Sequence, residues 1–563
     1  MASSPSMPDH TNIETVIDLF FWRVGISGED KAVSFYRGEN LVTVRWKTLG
    51  EEVLRTAVVL AQLGVQPGDP VVQVSKNRYE WILFDLAIQL CGAVHVPVHA
   101  TLSAAQIAFQ IVDSGAQLVV LASPDQYEDL LPLMVDFPPQ GGWVFFDSLP
   151  YSSPNENIYL HRELATSLSS SEMAAMETHR QQTSGEDVAT ILYTSGTTGE
   201  PKGVMLTHRN LITNTLSIVA ANRQEPEDLR LSLLPWSHIF ARTCDIYCWI
   251  ASGCQLAIAE GADKILDNCQ EWKPTLLNAV PYFYDKLYRT LSERGANNRP
   301  GSLKEILGGE IRVCGSGGAA LPAYIEEFFQ QQQVVLLPGY GLTETSPVIS
   351  MSTLNANRPG TVGRPLRDIK IRISDEGEIL TRGPHVMKGY YKNQAATGQI
   401  IREGWLHTGD LGTLSDDRYL TITGRKKEII VLSTGKNISP ANLELKMMTA
   451  PLILRGFVLG DDQSCLAALI VPDPEALRGE IFRRGISVGS PREALSHPEV
   501  LEMYRKTLAQ CLAELAPYEQ IHKFRLIDRD FSLEKGELTP TLKLRRSAIL
   551  KNFDKIIDAM YAE

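Results

Sequence analysis

One short stretch of the chain has the composition of a phosphate-binding loop. Residues 193–203 read Tyr-Thr-Ser-Gly-Thr-Thr-Gly-Glu-Pro-Lys-Gly, which supplies three glycines, four Ser/Thr hydroxyls and a lysine, Lys202. The apolar run at 188–192 predicts a buried strand before it, and backbone N–H groups after a strand can donate to phosphate oxygens. A Walker loop is excluded because Pro201 precedes the lysine and Gly203 follows it. The alternative is a Gly/Ser/Thr linker.

A second stretch, residues 340–346, reads Tyr-Gly-Leu-Thr-Glu-Thr-Ser and combines a ring, a glycine turn, hydroxyls and a carboxylate. Tyr340 can stack on a purine, and Thr343 and Thr345 can donate to phosphate. Glu344 can hold Mg²⁺ through oxygen. The alternative is a turn with a solvated glutamate.

A glycine-rich stretch at 314–322 reads Cys-Gly-Ser-Gly-Gly-Ala-Ala-Leu-Pro. It lacks the acidic residue, about 20 positions further on, that a dinucleotide-binding βαβ unit needs. Its glycines instead allow the backbone to approach a flat ligand closely, and Pro322 suits a helix start.

Three further residues are ambiguous taken alone. Asp410 is predicted to follow a tight turn, where it can accept ribose hydroxyls or cap the turn. His238 lies among apolar and aromatic residues, as packed core histidines usually do, next to Trp236. Lys543 belongs to the basic segment 538–546, and a terminal basic run is usually a solvated face.

The order of these motifs resembles the AMP-forming adenylating enzymes, which include acyl-CoA synthetases, firefly-type luciferases and peptide-synthetase adenylation domains. Leu-Pro-Trp-Ser-His-Ile-Phe at 234–240, Ser-Thr-Gly-Lys-Asn at 433–437 and Leu-Thr-Pro-Thr-Leu-Lys at 538–543 look like long-chain fatty acyl-CoA synthetases in particular. The resemblance extends from near Trp46 to Lys543. It implies an α/β fold, with a large N-terminal domain of βα-wound sheets, a β-rich subdomain and a small mobile α+β C-terminal domain.

The resemblance also implies roles for individual residues. The implied catalytic residues are Lys543, Glu344, Lys202 and Thr194, with Lys535 as a second candidate for the catalytic lysine. The implied Mg²⁺ ligands are Thr194 and Glu344. Residues implied to bind ATP are Thr194, Ser195, Gly196, Thr197, Thr198, Gly199, Lys202, Gly317, Gly318, Ala319, Tyr340, Gly341, Thr343, Asp410, Arg425 and Lys543. Trp236 is implied as a gate, His238 as a wall of the acyl pocket, Gly318 and Gly435 as lining for acyl chain or pantetheine, and Lys427 as a hinge.

The chain is too long for a single core, so two or more domains are expected. Alternating helices and strands over 46–120 and 230–347 predict mostly parallel sheets, with a strand over 70–74, a helix over 79–90 and a strand over 93–97 in the first series. Short strands are predicted at 369–373, 377–381 and 419–423. Residues 140–187 are predicted to be a surface excursion. We place the domain boundary between residues 424 and 425. Residues 1–424 are predicted to hold the ATP and acyl sites, and residues 425–563 are predicted to form a lid that carries the catalytic lysine.

The implied reaction converts a long-chain fatty acid and ATP to acyl-AMP and pyrophosphate, and then transfers the acyl group to CoA. No motif places a cysteine as a nucleophile, so an external thiol is expected. Three alternatives remain: an acyl carrier protein as the acceptor, a medium-chain or aryl acid as the substrate, or an inactive nucleotide- or lipid-binding protein.

Composition narrows the partners and the location. The net charge of −12 disfavours nucleic acid as a partner. Residues 1–12 lack a secretory signal pattern, and polar residues and Pro97 interrupt the uncharged run 86–112, so no membrane span is expected. Cys244, Cys248 and Cys254 lie near His238, but their spacing suits a buried helix better than a metal site. A reducing, cytoplasmic location is expected, with peripheral membrane contact and oligomeric state left open.

Overall fold

The computed structural model describes residues 13–149, 157–161, 168–194, 201–261, 263–539 and 543–562. These residues divide into two compact units. The first unit contains the described residues up to Gly318, together with 328–371 and 380–407; the second contains the described residues of 319–327, 372–379 and 408–563. The boundary at 424/425 falls inside the second unit and stays a prediction.

Most strands in the described residues are short. In chain order they are β1 Lys31–Arg37, β2 Asn40–Arg45, β3 Pro70–Val74, β4 Val94–Val98, β5 Leu118–Leu121, β6 Trp143–Phe145, β7 Ile158–Leu160, β8 Val188–Thr194, β9 Lys202–Thr207, β10 Leu229–Ser232, β11 Gln255–Ile258, β12 Leu276–Ala279, β13 Val313–Ser316, β14 Val335–Gly341, β15 Val348–Met351, β16 Arg364–Pro365, β17 Lys370–Ile373, β18 Glu378–Arg382, β19 Gly389–Tyr390, β20 Ile401–Arg402, β21 Trp405–Leu414, β22 Leu420–Arg425, β23 Ile430–Val431, β24 Asn437–Ile438, β25 Ile453–Leu459, β26 Leu466–Pro472 and β27 Ile521–Leu526.

The helices connect these strands. In chain order they are α1 Val16–Ser27, α2 Trp46–Gln62, α3 Tyr79–Leu90, α4 Ala104–Ser114, α5 Pro124–Leu130, α6 Ser170–Gln182, α7 His208–Ala221, α8 Ile239–Ala241, α9 Cys248–Ser252, α10 Ile265–Trp272, α11 Pro281–Glu293, α12 Ser302–Ile306, α13 Ala323–Gln331, α14 Gln394–Ile400, α15 Pro440–Met447, α16 Pro474–Arg484, α17 Pro491–Ala494, α18 Pro498–Cys511, α19 Arg546–Asn552 and α20 Asp554–Ala562.

The first unit contains two large sheets. One has eight strands in the order β19-β9-β8-β4-β3-β5-β6-β7, and the other has nine in the order β16-β15-β14-β13-β12-β10-β11-β1-β2. Both are parallel in their centres and antiparallel at one or both edges. The predicted strand at 70–74 and helix at 79–90 have the bounds found in the structure, and the α/β fold is confirmed.

The second unit contains a small three-stranded sheet, in which β26 lies between the antiparallel β25 and the parallel β27. Helices pack against this sheet and form two apolar clusters with it. One cluster includes Leu443 and Val458, and the other includes Phe457 and Ile549. Residues that alternate along β25 therefore belong to different clusters, as side chains on opposite faces of a strand should. The predicted α+β character of this region is confirmed.

Two predictions of secondary structure made from the sequence are wrong. The region 140–187 is not a surface excursion throughout, because Trp143–Phe145 is a buried strand that continues the eight-stranded sheet. A three-residue strand is too short to show a period in the sequence. Lys202 also lies at the start of a strand, β9, instead of in the loop; this strand returns antiparallel to β8 before α7 begins.

In the uncharged run 86–112, a helix ends at Leu90 as predicted, and the strand predicted over 93–97 lies one residue further on, over Val94–Val98. Among the described residues, no helix is long and apolar enough to cross a membrane.

A buried polar network connects several elements of the first unit. Asp85 from α3 accepts hydrogen bonds from Arg242 and from His95 Nδ1, the latter at 2.8 Å. Arg242 Nη1 also donates to Thr190 Oγ1 on β8 at 2.6 Å, and the Thr190 hydroxyl donates to the His95 carbonyl at 2.7 Å. All four side chains are buried. A buried charge without its partner is strongly destabilising, so this network fixes α3, β4, β8 and the segment after His238 together.

This network makes folding stability depend on pH. Burial and the nearby Arg242 lower the pKa of His95 from about 6.5 to about 4, although Asp85 acts to raise it. An unfolded histidine binds a proton below about pH 6.5, whereas folded His95 stays neutral down to about pH 4. The stability contribution is therefore complete above about pH 6.5 and declines as the pH falls toward 4.

We predict that His95→Asn, which keeps an N–H donor but cannot titrate, makes stability less dependent on pH. As the pH falls from about 6.5 to about 4, the unfolding free energy of the wild type should decrease more steeply than that of the variant. The difference between the two slopes should be about 1.4 kcal/mol per pH unit. Urea unfolding followed by tryptophan fluorescence at several pH values measures this. The control is His522→Asn at an exposed position, which should keep the wild-type slope. Equal slopes for His95→Asn and wild type would contradict the prediction.

Candidate active site

The hairpin of β8 and β9 positions both ends of the predicted phosphate loop. Thr194 and Lys202 are directly opposite in the pairing, and the Thr194 hydroxyl donates to the Lys202 carbonyl at 3.5 Å. The residues between them that were assigned to phosphate binding, Ser195, Gly196, Thr197, Thr198 and Gly199, lie outside the described residues.

One tyrosine connects Lys202 with Glu344. Glu344 lies in the single turn of 3₁₀-helix Thr343–Thr345, just after β14. The Tyr390 hydroxyl donates to Glu344 Oε1 at 2.8 Å, and Lys202 Nζ lies 5.2 Å from the centre of the Tyr390 ring. The structure therefore brings two residues of the predicted site together around a third that sequence reasoning missed. Tyr390 gave no signal, because one of two adjacent tyrosines in a mixed segment suggests no particular chemistry.

The stretch from Tyr340 to Thr345 is shaped by its own backbone. A Cβ on Gly341 would lie 1.8 Å from the Pro347 carbonyl oxygen, so only glycine fits where β14 meets β15. Tyr340 and Thr343 are half-buried. Thr345 is buried, and its hydroxyl donates to the carbonyl of Leu342 or Pro347, so the prediction that it donates to phosphate is wrong.

The glycine-rich turn lies next to the segment assigned to the acyl pocket. A Cβ on Gly317 would come within 3.1 Å of the Phe240 ring, and Gly318 has φ of +82°. These two positions thus require glycine for close packing and for a left-handed backbone, respectively. Ala319 is exposed.

Trp236 and His238 differ in exposure. Trp236 is buried, its indole N–H donates to Ser232 Oγ at 2.8 Å, and its ring packs edge-to-face against Trp81 with centroids 5.5 Å apart. His238 is half-buried and caps α8, where its Nδ1 accepts from the Phe240 N–H at 3.3 Å. In this structure Trp236 is therefore a packed side chain, and its role as a gate stays a prediction.

Asp410 and Arg425 form an ion pair in the second unit. They are directly opposite on β21 and β22, and Arg425 Nε donates to Asp410 Oδ1 at 2.9 Å. Asp410 lies inside a ten-residue strand. A tight turn at Glu403 and Gly404, both with positive φ, precedes this strand, but Asp410 lies six residues after Gly404. The pairing orients the carboxylate, and the alternative of a turn-capping aspartate is excluded.

The remaining predicted residues lie on turns of the second unit. Lys427 is exposed in the 3₁₀ turn Lys426–Glu428. Gly435 has φ of +76° in the turn between β23 and β24, where its N–H donates to the Leu432 carbonyl at 2.8 Å. Lys543 is also exposed, as is Lys535.

Backbone hydrogen bonds and a buried glutamate hold the segment that carries Lys543. The Lys543 N–H donates to Thr539 Oγ1 at 3.1 Å, and the Thr539 N–H donates to the Lys543 carbonyl at 2.8 Å. Glu537, two residues earlier than Thr539, is buried and accepts two hydrogen bonds of 2.7 Å from Arg529. Its backbone carbonyl accepts from the Arg545 N–H at 2.8 Å. Glu537 therefore holds the described residues on both sides of the turn that presents Lys543.

The charge of Glu537 is stable over the usual pH range. Burial acts to raise its pKa, but hydrogen bonds from Arg529, Asn552 and the Ser532 N–H lower the pKa of Glu537 to about 2. Its stabilising effect is thus complete above its ordinary pKa near 4.5 and is lost as the pH falls toward 2.

We predict that Glu537→Gln loosens this turn without unfolding the second unit, because the uncharged amide loses the two charge-assisted bonds to Arg529. Amide hydrogen exchange should become at least about tenfold faster in the described residues 532–539 and 543–546, while β26 stays protected. Glu534→Gln, a change of the same kind at an exposed position of the same segment, is the control. Unchanged exchange in Glu537→Gln would show that the turn does not depend on this carboxylate.

Two family models of known proteins match successive parts of the chain. Residues 20–391 match the AMP-binding enzyme family, and residues 427–563 match the AMP-binding enzyme C-terminal domain. The chain therefore belongs to the AMP-binding enzymes.

Within this family, two curated relatives are similar over most of their length. The chain is 34% identical to the long-chain-fatty-acid–CoA ligase FadD15 of Mycobacterium bovis, over 91% of both chains. It is 30% identical to the peroxisomal long chain acyl-CoA synthetase 7 of Arabidopsis thaliana, over 99% of this chain and 87% of the relative. The adenylation domain of the carboxylate reductase of Mycobacterium chelonae has the same fold, with a TM-score of 0.79 at 20% identity over 99% of this chain and 94% of that one.

The residues around Glu344 suit a magnesium ion that arrives with nucleotide. Mg²⁺ is usually held by one or two carboxylates, with substrate phosphates and water completing its octahedron. Across the described ranges, no cluster of three or more His, Cys, Asp or Glu side chains could hold a metal unaided. Glu344, oriented by Tyr390, offers one carboxylate. This donor set fits Mg²⁺ bound together with ATP phosphates.

Proposed function

We propose that this protein is a long-chain fatty acid–CoA ligase that works through an acyl-adenylate. The observation that carries the proposal is the 34% identity to a protein named long-chain-fatty-acid–CoA ligase over 91% of both chains. The substrates are a fatty acid, ATP and CoA, and ATP acts with Mg²⁺. The location proposed is cytoplasmic, with peripheral contact to the membranes that hold fatty acids.

The first step has an electrostatic difficulty that the proposed residues can solve. A fatty acid carboxylate attacks the α-phosphate of ATP, and both groups are anions. Catalysis therefore consists mainly of alignment and charge neutralisation. We assign Lys543 to the oxygens between the carboxylate and the α-phosphate, and Lys202 with the loop from Thr194 to the departing phosphates. Glu344 and Thr194 would hold Mg²⁺, which would supply positive charge beside the departing pyrophosphate.

The rest of the nucleotide is assigned to residues on several strands. Tyr340 stacks on adenine, and the backbone of Gly317, Gly318 and Ala319 packs beside it. Asp410 accepts the ribose hydroxyls. The Arg425–Asp410 ion pair supports this role, because it orients the acceptor before the nucleotide binds.

In the second step an external thiol displaces AMP. The buried cysteines of this chain are poor candidates for the nucleophile, because burial raises the pKa of Cys91 and Cys269 to about 12 and that of Cys244 well above its ordinary value. A reactive cysteine needs the opposite shift. We assign Gly435 to the pantetheine channel and Lys427 to a hinge about which residues 425–563 move as a lid.

The acid is assigned to a pocket with His238 in its wall and Trp236 at its entrance. Incubation of the purified protein with Mg·ATP, CoA and an equimolar mixture of saturated fatty acids, from hexanoic to eicosanoic, tests the function. Mass spectrometry should detect long-chain acyl-CoA and an equal amount of AMP. Acyl-adenylate without acyl-CoA would indicate a different acceptor, such as an acyl carrier protein. If neither product forms, the proposed substrate or activity is wrong.

We predict that Lys543→Ala lowers the rate of acyl-adenylate formation by roughly 10²- to 10³-fold or more, because a charge that stabilises the transition state is lost. Thioester formation from added acyl-adenylate and CoA should stay close to wild type. Lys535→Ala, at the second candidate position, should leave both rates nearly unchanged. Loss of both half-reactions in Lys543→Ala would refute the assignment.

We predict that Lys427→Pro slows thioester formation more than adenylation, since proline fixes φ at the proposed hinge. Rapid-quench measurement of each half-reaction separates the two effects. Lys427→Ala, which removes the side chain but keeps the backbone free to rotate, should behave almost as wild type. An equal loss of both half-reactions in the proline variant would contradict a hinge at this residue.

A further inference from the structure

We propose that Tyr390 is a positioning residue, which orients the Glu344 carboxylate toward Mg²⁺ and holds the Lys202 ammonium beside it for the phosphates of ATP. The inference rests on the proposed function, because it concerns how this chain would receive Mg·ATP. Tyr390 lies outside the sequence motifs that predicted the site.

The contact with Glu344 is directional. The Tyr390 hydroxyl donates to Oε1 at 2.8 Å, and Tyr390 is only 8% exposed. A hydrogen bond to an ionised acceptor is stronger than one between neutral groups. Engaging one carboxylate oxygen in this way fixes the rotation of the group. Hydrogen-bond partners of this kind strongly affect how well a ligand side chain binds metal.

Tyr390 is itself held firmly enough to act as a reference point. It lies on β19, which pairs antiparallel with β9 so that Tyr390 is opposite Val204. Its N–H donates to Thr397 Oγ1 at 2.9 Å, and the Thr397 hydroxyl donates to the Asn393 carbonyl at 2.9 Å. The backbone of Tyr390 is therefore fixed on one side by the strand that begins at Lys202 and on the other by α14.

The backbone of Glu344 is held from the same segment. The Met387 N–H donates to the Glu344 carbonyl at 2.9 Å, only three residues before Tyr390. A single stretch of chain thus binds both the main chain and the side chain of Glu344. This arrangement restricts the carboxylate more than either contact could alone.

The ring of Tyr390 acts on Lys202. Lys202 Nζ lies 5.2 Å from the ring centre, within the range of a cation–π interaction. Because Lys202 begins β9 directly beside the strand of Tyr390, its ammonium is kept at the end of the phosphate loop. The hydroxyl of Tyr390 therefore positions the negative charge of Glu344, which would contact Mg²⁺. Its ring positions the positive charge of Lys202, which would contact the phosphates.

The test is Tyr390→Phe, which removes the hydroxyl and keeps the ring. Calorimetric titration with a non-hydrolysable ATP analogue, α,β-methylene-ATP, in the presence and absence of Mg²⁺ measures binding without turnover. We expect the variant to bind the Mg²⁺ complex about tenfold or more weakly, and the metal-free analogue as well as wild type. The Mg²⁺ concentration that half-saturates acyl-adenylate formation should rise by a similar factor, and high Mg²⁺ should restore the rate.

Two further variants make the test specific. Tyr391→Phe is the matched control, because its hydroxyl donates to the Ser114 carbonyl at 3.1 Å and not to Glu344; it should bind the Mg²⁺ complex as wild type does. Tyr390→Leu also removes the ring, and we expect it to weaken binding of the metal-free analogue severalfold as the Lys202 contact is lost.

Unchanged Mg²⁺-dependent binding in Tyr390→Phe would overturn the proposal, as would an equal loss in Tyr391→Phe. A loss that is the same with and without Mg²⁺ would also overturn it, because it would indicate a general disturbance of the site. Thermal unfolding of each variant verifies that it is folded. If wild type binds Mg·nucleotide but makes no acyl-adenylate, the proposed function fails, while the binding measurements still decide the role of Tyr390.

Discussion

The buried ion pair between Arg242 and Asp85 is the interaction on which the arrangement of the first unit depends. Arg242, in the segment that follows His238, compensates the negative charge of Asp85 on α3. The same guanidinium donates a hydrogen bond to Thr190 on β8, the strand that leads to the phosphate loop. A buried ion pair contributes little net stability by comparison with apolar packing, but it is costly to break. Its main effect is to specify one arrangement, in which the candidate acyl segment and the phosphate strand keep a fixed relation.

At the candidate site, too, charged side chains are held in fixed positions by their contacts. Lys202 and Glu344 have opposite charges, and both contact Tyr390 within the first unit. Asp410 and Arg425 are held in the second unit by the register of two strands, and Lys543 by a turn whose shape depends on Glu537. The chemistry assigned to these residues needs little proton transfer. It needs charges at fixed places, which strands and buried ion pairs supply.

Much of the fold could be predicted from the sequence where apolar periodicity was long enough. The strand at 70–74 and the helix at 79–90 have the predicted bounds, because Gly68 and Pro70 mark the start of the strand and Gly92 follows the helix. The strand Trp143–Phe145 was missed because three residues show no period. β9 was missed because its beginning, Lys202, belongs to a stretch whose composition suggested a loop. Motif residues could be identified by type and order. Tyr390 acts through Glu344, 46 residues away, and Glu537 through Arg529 and Asn552, 8 and 15 residues away, and no local pattern reveals these contacts.

The burial of the cysteines has a consequence for an enzyme that would make a mixed anhydride. An acyl-adenylate acylates any accessible thiolate, including those of the protein that formed it. Cys91, Cys244, Cys248, Cys254, Cys269 and Cys314 are all buried in the first unit, where desolvation keeps their sulfur protonated. These six side chains are thereby protected from self-modification, and the activated acyl group is conserved for the incoming thiol.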